Sequence, residues 1–212
     1  QLMRPSPVGR RVAFSDELLE AGSEIWAAQY DHPFVRELAD GTLDPAAFRT
    51  WIEQDYRYLL DYARTFAVAA TKARRESTMA GLLDVAHTTL EFEMDLHREF
   101  AAEYGIAPAE LESVEKAPTC VAYTNFLVRT AHEGSLPVAV AAIYPCAKGY
   151  LDVAERMAER ATETHRYTPF VEKYTSEEFV EAVDWLTGLV DDLGERHPGA
   201  HEAMREAFLT SA

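Results

Sequence analysis

The chain has 212 residues, 48% of them hydrophobic, enough for one sizeable core. Its 36 acidic residues against 20 basic give a net charge of -16, which repels nucleic-acid phosphates and argues against DNA binding. No apolar run is long enough to span a membrane, the N-terminal stretch lacks the apolar heart of a signal peptide, and two cysteines make no disulfide framework, so the expectation is a cytoplasmic protein.

The pattern is helical almost throughout. Gln1 and Leu2 precede Met3 and read as an addition ahead of a native start at Met3. Leu18, Leu19, Ile25 and Trp26 recur at helical spacing, predicting one helix from about Ser15 to Tyr30 that His32-Pro33-Phe34 breaks. Asp44-Pro45 is a cap followed by a first-turn proline, opening a long helix to about Lys72. Ser77 starts the next, which runs to Tyr104 and stops at Gly105. Pro118 opens another, closed by Gly134, and Ser135-Leu136-Pro137 opens the helix that holds Cys146. Tyr174-Thr175-Ser176-Glu177-Glu178 marks a further start, with Ser or Thr as cap, and Gly194 with Pro198-Gly199 separates that helix from the last. No strand-like alternation, repeat or linker interrupts the run, so the fold class is all-α: a single-domain helical bundle over residues 1–212.

Four groups of residues could carry chemistry. Cys146 sits beside the in-helix Pro145, with Tyr144 and Tyr150 near it; it is either a nucleophile or a small buried hydrophobe. Asp55 and Tyr58 are three apart and share a helix face close to Trp51, Leu59 and Tyr62. A carboxylate buried there needs a partner, which could be Tyr58, a thiol or a ligand amine; the alternative is a solvated charge beside a core tyrosine. Glu91, Glu93 and His97 share one helix, but the Glu-x-x-His signature of a di-iron bundle is missing, and a Glu93–His97 salt bridge four apart explains them. Tyr123, Tyr144, Tyr150 and Tyr174 suit a flat heteroaromatic ligand, or simply core packing.

Taken in order, the segments His32-Pro33-Phe34-Val35, Asp40-Gly41-Thr42-Leu43, Phe48 through Tyr58, Glu91 through Phe100, Pro118-Thr119 through Tyr123-Thr124, Tyr144-Pro145-Cys146 and Tyr174-Thr175-Ser176-Glu177-Glu178-Phe179 resemble the TenA family, also called thiaminase II or aminopyrimidine aminohydrolase. The resemblance spans nearly the whole chain. It implies a haem-oxygenase-like helical bundle, assembled as a homotetramer, that hydrolyses an aminopyrimidine, or cleaves thiamin, to the hydroxymethyl pyrimidine used in thiamin salvage. It implies Cys146 as nucleophile and Asp55 as the carboxylate on the pyrimidine amino group and ring nitrogen. Tyr58, Tyr123, Tyr150 and Tyr174 fall on pocket tyrosines. The partner implied is a small-molecule pyrimidine, with no metal or organic cofactor, no nucleic acid and no membrane.

In one respect the chain departs from the family pattern. The family carries an acid/base glutamate just past a segment like Ala207-Phe208-Leu209-Thr210-Ser211, whereas this chain stops at Ala212, so a shortened C-terminus is expected. The implied chemistry is addition of the thiolate to an electron-poor ring carbon, departure of the leaving group and replacement of the thiol by water. Two other readings stand beside it: a di-iron oxidase on the same bundle, and a pyrimidine-binding regulatory protein that does no chemistry. The acidity has two readings, a protein adapted to high salt or an ordinary acidic cytosolic protein; the excess of acidic residues, with lysine scarce beside arginine, favours the first.

Overall fold

The computed structural model describes residues 12–161 and 163–212; the expected start at Met3, with Gln1 and Leu2, lies outside the described residues. Two long helices form the axis of the bundle: α4 (Pro45–Ala70, 26 residues) and α9 (Leu136–Arg160, 25 residues). As the sequence predicts, Asp44 caps α4 by accepting from the Ala46 amide at 2.9 Å, with Pro45 in the first turn. Each helix buries one face, α4 through Phe48, Ile52, Asp55, Leu59, Tyr62 and Phe66, and α9 through the small run Ala139–Ala142 before Tyr144. Small residues there let neighbouring helices approach α9 closely.

The other helices wrap these two. α5 (Glu76–Thr88) and α8 (Pro118–Glu133) pack on α4, and α11 (Glu177–Arg196) and α12 (His201–Ser211) pack on α9. α6 (Met94–Glu103) closes against α4, and α10 (Thr168–Tyr174) against α9. α1 (Phe14–Ala21) docks on α11, while α2 (Ser23–Asp31) and α3 (Pro33–Ala39) lead into α4. The short α7 (Pro108–Ser113) completes the set. One apolar core runs from Phe14 in α1 to Phe208 in α12, and no strand occurs among the described residues.

Several expected boundaries move. The helix expected over Ser15–Tyr30 is two, broken at Gly22, where the ring of Phe208 takes the space a β-carbon would need. Pro33 does end α2, but it also opens α3, with His32 as its cap. The run expected from Ser77 to Tyr104 begins at Glu76 and is interrupted by one π turn over Thr89–Glu93. Gly105 does terminate it, at a φ of 71° that favours glycine. Gly194 is not a break: α11 continues through it to Arg196, and the glycine lets the Phe14 ring lie where a β-carbon would sit 2.6 Å away. Ser176 caps α11 by accepting from the Phe179 amide at 3.3 Å, as its sequence predicts.

Candidate active site

The buried faces of α4 and α9 do not meet everywhere. Between them lies a cavity of about 470 Å³ whose wall includes Asp55, Tyr58 and Tyr62 from α4, Cys146 and Tyr150 from α9, and Tyr174 from α10. Of the six residues that the family resemblance implies, five therefore face one space, Asp55, Tyr58, Cys146, Tyr150 and Tyr174. Tyr123 lines a second cavity, of about 540 Å³, on the other side of Cys146; Cys146 and Tyr150 border both. The Tyr123 ring stacks on that of Tyr58 at 5.2 Å, and its hydroxyl lies 3.3 Å from the Ser211 hydroxyl of α12, which itself donates to the Ala142 carbonyl at 2.5 Å. Tyr144, by contrast, is fully buried core: it packs on Phe208, and its hydroxyl lies 3.2 Å from that of Thr187, which donates to the Val183 carbonyl.

Asp55 is buried, and its protein partners among the described residues are neither Tyr58 nor a thiol but His97 and Tyr150. The His97 ring nitrogen Nε2 lies 2.7 Å from Asp55 Oδ2, and the Tyr150 hydroxyl donates to Asp55 Oδ1 at 3.2 Å. The expected Glu93–His97 salt bridge is not the interaction made. His97 Nδ1 lies 2.7 Å from the Glu93 backbone carbonyl, which can only accept, so Nδ1 carries a proton. With a carboxylate against Nε2 as well, the doubly protonated imidazolium is the form that suits both contacts. The ring N–H is not aimed along the line to Asp55, so the pair is a close charge contact more than an aligned hydrogen bond. Burial alone would lower the His97 pKa, but the Asp55 carboxylate and the Glu93 carbonyl outweigh it, and the net displacement is upward.

The thiol of Cys146 is held neutral. Burial pushes its pKa up, the Asp55 and Glu93 carboxylates push the same way, and the Tyr58 and Tyr62 hydroxyls oppose them. Those two hydroxyls are buried with no nitrogen or oxygen partner, which leaves them for the thiol or for a ligand in the cavity. Burial also raises Tyr58, Tyr62, Tyr150 and Tyr174, so all four are neutral donors near pH 7. Trp51 donates to the Tyr150 hydroxyl at 3.1 Å, fixing the hydroxyl that in turn holds Asp55. Such a cavity suits a flat, polar-edged ring: aromatic walls, one ion-paired carboxylate, and a thiol close to both. Cys120 is a free thiol that borders neither cavity and reaches only the Gln54 carbonyl, at 3.7 Å.

Sequence reasoning placed Trp51 and Tyr62 close to the Asp55 face but gave them no part in the site, and it paired Glu93 and His97 with each other instead of bringing them to Asp55. For His97 a signal was present: Met94, His97, Phe100 and Ala101 fall on one apolar helical face, where a histidine must find a partner on another helix. Among the described residues no three His, Cys, Asp or Glu side chains are grouped to hold a metal ion, and no helix is long and apolar enough to cross a membrane.

A family model described as the TENA/THI-4/PQQC family matches residues 20–212. A protein of Halalkalibacterium halodurans named aminopyrimidine aminohydrolase is 37% identical over 95% of this chain and 91% of its own. Among solved structures, a TenA homologue protein from P. horikoshii OT3 superposes with a TM-score of 0.88 at 26% identity, covering 94% of this chain and 93% of that one. A domain from Shewanella denitrificans with a heme oxygenase-like fold superposes with a TM-score of 0.70 at 15% identity, covering 95% of this chain and 90% of that one; that likeness is one of fold.

Proposed function

Since the chain belongs to the TENA/THI-4/PQQC family, we propose that it is a thiamin-salvage hydrolase that converts an aminopyrimidine to the hydroxymethyl pyrimidine, with thiamin as a second candidate substrate. One observation carries the reading: a thiol and an ion-paired carboxylate, on two different helices, face one tyrosine-lined cavity. In this reading Cys146 adds to a ring carbon, Asp55 accepts from the amino-pyrimidine edge and stabilises the protonated ring, and Tyr58, Tyr123, Tyr150 and Tyr174 hold the ring and keep water scarce. The neutral resting thiol suits this order of events. It needs no standing thiolate, because an electron-poor ring nitrogen can take up the thiol proton as the C–S bond forms.

We further propose one helical domain, located in the cytoplasm, acting as a homotetramer. Support for assembly comes from the exposed side chains of Met79, Leu83, Leu90 and Phe92 along α5 and the π turn, apolar surface of the sort subunits cover. Incubation of the protein with the aminopyrimidine and with thiamin, following hydroxymethyl pyrimidine, tests the activity. Absence of product from both substrates, with a folded protein, would overturn it.

A further inference from the structure

His97 is fully buried and lines neither cavity, so it can reach a ligand only through Asp55. It belongs to a closed ring of side chains. His97 Nε2 lies 2.7 Å from Asp55 Oδ2, and the Tyr150 hydroxyl donates to Asp55 Oδ1 at 3.2 Å. Trp51 donates to that hydroxyl at 3.1 Å, and its ring lies against the His97 ring with centroids 5.1 Å apart. The Glu93 carbonyl holds the other His97 nitrogen, so the imidazole keeps both protons. A carboxylate oxygen has about two acceptor sites, so His97 and Tyr150 leave each oxygen of Asp55 one side free. Such a carboxylate is matched by two N–H groups side by side. A neutral aminopyrimidine edge offers one N–H beside a bare ring nitrogen; protonation of that nitrogen supplies the second.

Asp55 has two ways to meet that edge. As a carboxylic acid it would donate to the bare ring nitrogen and accept from the amino group, and the ring would stay neutral. As a carboxylate it accepts from both, and the ring nitrogen must gain a proton as the ligand binds. A buried carboxyl with no cation beside it keeps its proton. We infer that His97 is the positioning residue that decides between the two: its imidazolium holds Asp55 as a carboxylate, so the pyrimidine takes a proton from solvent onto its ring nitrogen as it binds. The inference rests on the hydrolytic reading above. The balance is one neutral ligand plus one proton giving a ring cation on the Asp55 carboxylate; an N–H bond forms and none breaks within the ligand. The cationic ring is more open to thiol addition than the neutral one, and the other ring nitrogen stays free for the thiol proton.

Groups on every element packed around the pair bear on its proton count. The phenols of Tyr58 and Tyr62 on α4, Tyr123 on α8, Tyr150 on α9 and Tyr174 on α10 are all pushed up by burial and stay uncharged. The thiols of Cys120 on α8 and Cys146 on α9 are displaced the same way. Glu93, from the π turn, lines the cavity with Asp55 and does titrate near neutrality. Burial raises its pKa from 4.5 to about 7, and the Asp55 charge adds to that; His97, Lys173 of α10 and a Thr89 hydrogen bond pull the other way. A ligand that covered Glu93 would raise it further and take up a proton there as well, so the experiment removes that carboxyl.

The test counts protons taken up when the hydroxymethyl pyrimidine binds, which needs no turnover, at a pH where that compound is neutral in solution. Calorimetry in buffers of different ionisation enthalpy gives the count, and the ultraviolet absorption of the bound ring shows whether it is the cation. The Glu93→Gln protein should take up about one proton per ligand bound, with the bound ring absorbing as the cation. His97→Leu in the same background should take up none, with the bound ring absorbing as the neutral form. Thermal melts establish that each variant is folded, and His97→Gln, which removes the charge but keeps a polar side chain, replaces His97→Leu if that protein melts below the assay temperature. Equal uptake with and without His97 overturns the inference, and so does absence of uptake, or of binding, in the Glu93→Gln protein. In each of those cases a wild type that turns over the aminopyrimidine leaves the hydrolytic reading standing. A folded wild type that forms no product from either substrate overturns both, and no variant need be made to see it.

Discussion

Glu93→Gln also makes a prediction about stability that needs no substrate. Glutamine keeps the shape of the side chain and removes its ionisation. In the folded protein the carboxyl titrates at about 7 instead of 4.5, so the native state holds its proton where the unfolded chain has released it. For an acid displaced upward, the native state is relatively favoured below pH 4.5, and that advantage is lost as pH rises towards 7. At about 1.4 kcal/mol per unit, the full displacement corresponds to about 3 kcal/mol. The side chain borders an open cavity, so about 2–3 kcal/mol is the better expectation. A chain of this size shifts its melting temperature by about 2–4 °C per kcal/mol, giving a gain of about 5–10 °C for Glu93→Gln above pH 7 and little at pH 4. Other titrating groups are common to both proteins and largely cancel in the difference. Thermal melts at four pH values from 4 to 8.5 measure it. A difference in melting temperature that stays constant across that range would refute the burial and repulsion argued for Glu93.

Cys146→Ser should nearly abolish hydrolysis without unfolding the protein, while Cys120→Ala leaves the rate close to wild type; equal losses in a rate assay would mean that the thiol chemistry is misassigned. Asp55→Asn should weaken pyrimidine binding and turnover together, by about ten- to a hundredfold for a charge-assisted bond worth about 1.5–3 kcal/mol, and unchanged affinity in calorimetry would remove Asp55 from the site. A net charge of -16 repels itself most where the subunits of the proposed tetramer would meet, so the melting temperature and the assembled mass by light scattering should both rise between low and molar salt. Flat or falling values would make the acidity incidental.

The elements easiest to read from the sequence are those with local punctuation. Asp44-Pro45 and Ser176 announce α4 and α11 because a cap is a property of a few consecutive residues. The same logic failed at Gly22 and Gly194. A neighbouring ring takes the place of a β-carbon at both, Phe208 at Gly22 and Phe14 at Gly194, yet the helix breaks at the first and runs through the second, and nothing local in the sequence separates the two cases. The site divides in the same way. Cys146, Asp55 and the tyrosines that line the cavities were singled out through their residue types and a family likeness that orders them along the chain. The Asp55–His97 pair was not, because it joins α4 to α6 across a turn whose winding changes, and spacing along a single helix suggested Glu93 as the partner instead.

The π turn has a consequence for how this chain can vary in length. A π turn is an α-helix with one residue inserted, and each residue of an α-helix turns the chain by about 100°. Loss of any one residue from Thr89–Glu93 that restored ordinary winding would leave α5 where it is and rotate everything beyond by that angle. His97 would be carried off Asp55, and Met94 and Phe100 off the core, with no amino acid in α6 changed. Insertions and deletions are usually borne by loops; here the middle of a helical run is as intolerant of a change in count as the active cavity is of a change in kind.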